Sequence, residues 1–73
     1  MKTSIETQKK TFLKTLFEQS LNVARHIVAD ADEYFAELQK SAKDEETAML
    51  AFMELTPEYI AAYNSYCTAL DAQ

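Results

Sequence analysis

Glycine is absent from this 73-residue chain, which also holds only one proline, one cysteine and one histidine, and no tryptophan. Phosphate-cradling loops and dinucleotide-binding turns need glycine, because their backbone takes positive φ and approaches the pyrophosphate closely. Nucleotide-binding motifs of those kinds are therefore excluded. A lone Cys67 can close no internal disulfide, and one cysteine with one histidine falls short of a four-ligand zinc site. No run approaches the roughly 18 apolar residues of a membrane span, and the opening MKTSIETQKK has no apolar core of a secretory leader. The expectation is a cytoplasmic chain with a free thiol, not bound to a membrane.

What is present is apolar content of 48% with 26% charged residues, a globular balance rather than a disordered one. At 8.3 kDa the chain forms one domain, residues 1–73, whose core is marginal by itself, so self-association is expected. The net charge of −5 hides a division. Residues 1–25 hold five Lys and Arg against two Glu, a net +3; residues 26–73 hold two Lys against ten acids, a net −8. Such a chain is electrically polar along its length, which constrains how copies or partners can meet.

Nothing punctuates residues 4–42, and the apolar residues there recur at helical spacing. Thr3-Ser4-Ile5-Glu6 has the form of a capping box, with Thr3 as the cap. Ile5, Phe12, Leu13, Leu16, Phe17, Val23, Ala24, Ile27, Val28, Ala31, Tyr34, Phe35 and Leu38 then share about half of a helical wheel, too wide for a two-stranded coiled-coil seam. One long amphipathic helix over about 4–42 is predicted, ending near Lys40 and Lys43. A break at 41–44 precedes a second helix over about 45–55. Thr56-Pro57-Glu58 reads as N-cap, first-turn proline and first-turn acid of a third helix, over about 57–71. The fold class is all-α, with no strand and no internal repeat.

At about 1.5 Å per residue the first helix would span roughly 58 Å, and the other two together only about 39 Å. A helical bundle completed by homodimerisation follows as an expectation. Two long helices would pack antiparallel, the basic end of one beside the Asp30–Glu37 region of the other.

Four candidate sites stand out. His26, Asp30, Glu33 and Glu37 fall at i, i+4, i+7 and i+11, one stripe of a continuous helix, where imidazole and carboxylates could share a metal ion. The bland reading, a solvated flank, is preferred, and no metal or cofactor is assigned. Cys67 lies on an apolar stripe between Tyr63 and Leu70, where a thiol behaves as a small hydrophobe rather than a nucleophile. No catalytic residue is assigned. Tyr59, Tyr63 and Tyr66, with Met49, Phe52 and Met53, are either the inner face of the shorter helices or a binding surface, since both residue types carry large adaptable area. Asp30, Asp32, Glu33, Glu37, Asp44, Glu45 and Glu46 form an acidic set that argues against direct nucleic-acid binding, which draws its affinity from Lys and Arg.

The functional expectation is a small acidic non-enzymatic interaction module, an adaptor or regulator that binds another protein, one with a basic surface, through Asp30, Glu33, Glu37, Asp44, Glu45, Glu46, Tyr59, Tyr63 and Tyr66. The alternative is a phage- or mobile-element-type inhibitor whose carboxylates stand in for phosphates on a nucleic-acid-binding protein. A third reading is a bundle that binds a metal or small ligand.

Overall fold

The first helix begins at Ser4, whose backbone is extended and whose hydroxyl accepts from the Thr7 amide at 3.1 Å, satisfying one of the orphan donors of the first turn. The computed structural model describes residues 4–72, so the cap expected at Thr3 lies outside the described residues. From Ser4 the chain forms α1 (Ile5–Ile27), α2 (Ala31–Ser41), α3 (Glu45–Phe52), a 3-10 turn (Met53–Leu55) and α4 (Pro57–Asp71). All regular structure among the described residues is helical.

The single long helix over 4–42 is not formed. Val28 takes φ −124° and ψ 121°, an extended conformation, and the chain turns back before Ala31. The signals for this break are local but lack glycine and proline. Arg25 and His26 in the last turn of α1 suit its negative end, the β-branched pair Ile27-Val28 is a weaker helix former, and Asp32 with Glu33 suits the positive start of α2. Asp30 occupies the cap position of α2 without a side-chain cap hydrogen bond, so capping does not hold the corner. Packing does: Ala24 and Ala31 are both buried, small enough for the two helices to cross closely, and the Phe35 ring then comes to 4.6 Å from that of Phe17. Arg25 ties the same corner from outside, with its guanidinium on both oxygens of Asp32 at 2.9 and 3.3 Å.

Contacts between residues far apart in sequence set the directions of the four helices. Along α1, Lys9 meets Asp71, Phe12 meets Tyr66 and Ser20 meets Thr56, so α4 runs antiparallel to α1. Lys10 meets Glu46 and Phe17 meets Phe52, so α3 runs parallel to it. The result is an up-down-up-down arrangement built around α1, with Leu13, Leu16, Phe17, Ala24, Ala31, Met49, Phe52 and Met53 as its core. Phe52 is wholly buried at the centre, with the rings of Phe17 and Phe35 at 5.4 and 5.6 Å in edge-on contact. The second helix expected over 45–55 is thus an α-helix to Phe52 tightened into one 3-10 turn, which lets the chain reverse at Thr56.

The longest dimension is 41 Å, short of the roughly 58 Å of the expected rod. Helices α2, α3 and α4 supply about 51 Å of covering length against about 35 Å for α1, so uncovered helix length no longer argues for a second copy. The charge division is likewise used inside the chain: Lys9, Lys10 and Arg25 of the basic segment pair with Asp71, Glu46 and Asp32 of the acidic one. These pairs are exposed and individually worth little, but they disfavour other helix placements.

Candidate interaction surfaces

The acidic set does not form one corner. Asp30, Glu33 and Glu37 are exposed and lie at i, i+3 and i+7 along α2, a single face on which carboxylates follow one another about every turn. Glu37 leans on Lys40 at 3.3 Å, and Asp32 points the other way, to Arg25. Asp44, Glu45 and Glu46 stand at the start of α3, the far end of α2 from Asp30, about 16 Å along the helix axis. Asp44 is the cap of α3: its carboxylate accepts from the Thr47 amide at 2.8 Å, and that backbone hydrogen bond holds its pKa below the usual carboxylate value. Lys10 and Lys14 face this second group across an open cleft of about 500 Å³ that Met49 also lines. The start of α3 is consequently mixed in charge, and the solvent face of α2 is the acidic surface.

The tyrosine and methionine set separates as well. Met49, Phe52 and Met53 are buried core, whereas Tyr59, Tyr63 and Tyr66 are half-buried along α4. Tyr66 tilts against Phe12 with ring centroids 4.2 Å apart. Tyr63 looks toward the opposite side, into a cleft with Glu6, Thr7, Lys9, Lys10 and Glu46, and burial followed by the neighbouring Cys67 thiol pushes its hydroxyl up to about 12. Only Leu70 of α4 is buried outright, as only Ala31 is on α2.

The histidine and carboxylate stripe is divided by the turn at Val28–Asp30: His26 closes α1 while Asp30, Glu33 and Glu37 belong to α2. Among the described residues no three His, Cys, Asp or Glu side chains gather where they could hold a metal ion. Cys67 is half-buried at the level of Phe12, about 20 Å along α1 from His26, so the two do not form a thiol and base pair. No described helix is long and apolar enough to cross a membrane.

Two features escape a reading of the sequence. Ser20 lies in the register of the buried face, between Leu16 and Ala24, and is itself wholly buried with Thr56 as its partner; the signal is a hydroxyl at an apolar position. The other is a surface without charge. From Tyr59 to Leu70 no residue of α4 is ionic at neutral pH, and the adjoining face of α1 carries Thr11, Thr15 and Gln19. Between them runs a shallow groove lined by Gln8, Thr11, Phe12, Thr15 and Tyr66.

No family model matches the chain, and no curated protein or solved structure matches it at a significant level.

Proposed function

We propose that this chain is a non-enzymatic protein-interaction module, an adaptor or regulator that works as a pair of copies and docks a basic protein partner on the acidic face of α2. The observation that carries this reading is the division of its surface: Asp30, Glu33 and Glu37 concentrate negative charge on one exposed helix face, while the groove that Phe12 and Tyr66 line between α1 and α4 carries none. A carboxylate row steers a positively charged partner and sets its register. Beside it, the depressions along α1 are open clefts and grooves rather than enclosed sites with converging polar groups, the setting that substrate chemistry needs. The lone thiol of Cys67 suits a reducing cytoplasmic setting.

The test is affinity capture with the wild type and with a Glu33→Lys/Glu37→Lys variant. Both positions are exposed, so the variant keeps its circular dichroism spectrum. A captured protein that is retained by the wild type and lost by the variant supports the reading; equal retention by both sinks it.

A narrower version has the carboxylates of α2 replacing phosphates on a nucleic-acid-binding protein, favoured by their regular one-turn spacing. Release of the captured partner between about 0.1 M and about 1 M salt, over which the screening length falls from about 10 Å to about 3 Å, together with competition by a DNA duplex, marks this version. A partner that resists salt and ignores DNA belongs to the broader adaptor reading.

A further inference from the structure

The antiparallel helices α1 and α4 share, on the side of the Phe12–Tyr66 contact, a face that no charged side chain crosses. On α1 it carries Thr11, Thr15 and Gln19; on α4 it carries Ala62, Ser65 and Ala69, all exposed. The half-buried Phe12 and Tyr66 rings form the floor of the groove between the helices. An ordinary solvated helix face carries charges of both signs, and α2 and α1's other side do so here. Small side chains on α4 let a second helix approach closely, at the 8–10 Å of packed helices.

Resting on the reading of the chain as a paired interaction module, we infer that this α1/α4 face is where a second copy of the chain docks, across a two-fold axis perpendicular to the helices. Charge selects the occupant. Each copy carries −5, so copies approaching through their acidic faces repel, and the uncharged face is where like-charged molecules meet without that penalty. A basic partner, by contrast, gains nothing on a neutral face and is drawn to α2.

Charge also selects the orientation. Glu18 and Glu58 stand at the rim of the face and at the same end of it, the end where Ser20 meets Thr56. With the axis along the helices, Glu18 of one copy would face Glu58 of the other. With the axis perpendicular and level with Ala62, each α1 lies antiparallel on the other α1 and each α4 on the other α4, and the rim carboxylates of the two copies sit on opposite sides of the axis, about 12 Å apart along the helices. The charge-free stretch of α4, Tyr59 to Leu70, makes the footprint about 16 Å long and two helices wide, roughly 600 Å² over both copies. That is below the standard size of specific interfaces, so the pair is a weak, reversible one with a Kd in the high micromolar range or weaker.

Sedimentation equilibrium on the full chain, taken to about 1 mM to cover that weak range, reads the pairing. The average mass of the wild type rises with concentration from 8.3 kDa toward twice that value. Ala62→Glu, an exposed position at the middle of the face, weakens the association at least tenfold with an unchanged circular dichroism spectrum, and Glu33→Lys on α2 does not weaken it. In a Cys67→Ser background, Ala62→Cys near the axis forms a disulfide with itself under mild oxidation, and Ala69→Cys toward one end does not. A wild type that stays at 8.3 kDa throughout overturns both this surface and the pairing itself. A dimer indifferent to Ala62→Glu, or one in which Ala69→Cys cross-links to itself as fast as Ala62→Cys, overturns this surface and leaves the pairing to another face.

Discussion

Ser20 and Thr56, thirty-six residues apart, share a hydroxyl hydrogen bond of 2.7 Å in the interior, and neither side chain touches solvent appreciably. The Thr56 hydroxyl also reaches the Met53 carbonyl at 3.3 Å. A Thr56 proton given to that carbonyl makes Ser20 the donor to Thr56. The sequence reads Thr56 as the cap of α4; it does stand at the cap position, but its hydroxyl is turned inward to hold the 3-10 turn against α1 and makes no cap hydrogen bond. This pair fixes the height at which α4 starts along α1.

Removing one partner and removing both should differ. Thr56→Val leaves the buried Ser20 hydroxyl without an acceptor and is expected to cost about 1–3 kcal/mol, whereas Ser20→Ala leaves Thr56 bonded to Met53 and costs about 1 kcal/mol. The Ser20→Ala/Thr56→Val double variant should lose less than the sum of the two. Urea unfolding of all four proteins measures the coupling, and strict additivity contradicts the shared bond.

Core and overhang separate sharply. Phe52→Ala empties the space among Phe17, Phe35 and Tyr34 and is expected to cost about 3–5 kcal/mol, a large part of the stability of so small a domain. Ile27, at the end of α1 and 64% exposed, belongs to the apolar arc of the sequence but not to the core. Ile27→Ser should change stability by no more than about 0.5 kcal/mol. Thermal melts of the two variants rank these positions, and a comparable loss at Ile27 contradicts the corner as described.

The corner itself rests on small residues. Ala31→Leu adds volume where α1 and α2 cross closely, and overpacking of this kind costs about 1–3 kcal/mol. Asp30→Ala, lacking a side-chain cap bond to lose, should leave the turn in place. Helix boundaries from NMR chemical shifts check both; a continuous helix through residue 30 in Asp30→Ala would show that the side chain, not the packing, breaks the chain.

Alkaline stability should depend on Tyr63. Its pKa is raised to about 12 in the folded protein against about 10 in an unfolded chain, so the folded state holds its proton more tightly. That contribution is complete below pH about 10 and is lost as pH rises toward about 12. Denaturant midpoints across this window should fall less steeply for Tyr63→Phe than for the wild type, and parallel profiles would remove the assigned role of burial at this hydroxyl.

Asp44 acts at the other end of the scale. Its folded pKa lies below the unfolded value near 3.8, so the stability it lends α3 is present above that value and fades as pH falls below it. Asp44→Asn keeps an N-cap acceptor without a titrating group and should flatten the acid limb of the midpoint profile, while Asp44→Ala should destabilise at every pH. An unchanged acid limb in Asp44→Asn would contradict the cap.

Composition and spacing by themselves determined that this chain is helical, since the 3.6-residue recurrence of apolar positions, the break at 41–44 and the Thr56-Pro57 start are local properties of the chain. Residue type alone marks Phe17, Phe35 and Phe52 as apolar and the acids as surface. Tertiary packing decided the rest. The turn after Ile27 carries no glycine or proline and forms because folding back buries Ala24 and Ala31 and stacks Phe35 on Phe17, a gain that depends on residues far apart in sequence. That one turn divided the expected His26 and carboxylate stripe, replaced the long rod by a four-helix arrangement, and turned the charge division into ion pairs within one chain. It also left the uncharged side of α1 beside that of α4, a surface that periodicity along either helix alone does not reveal.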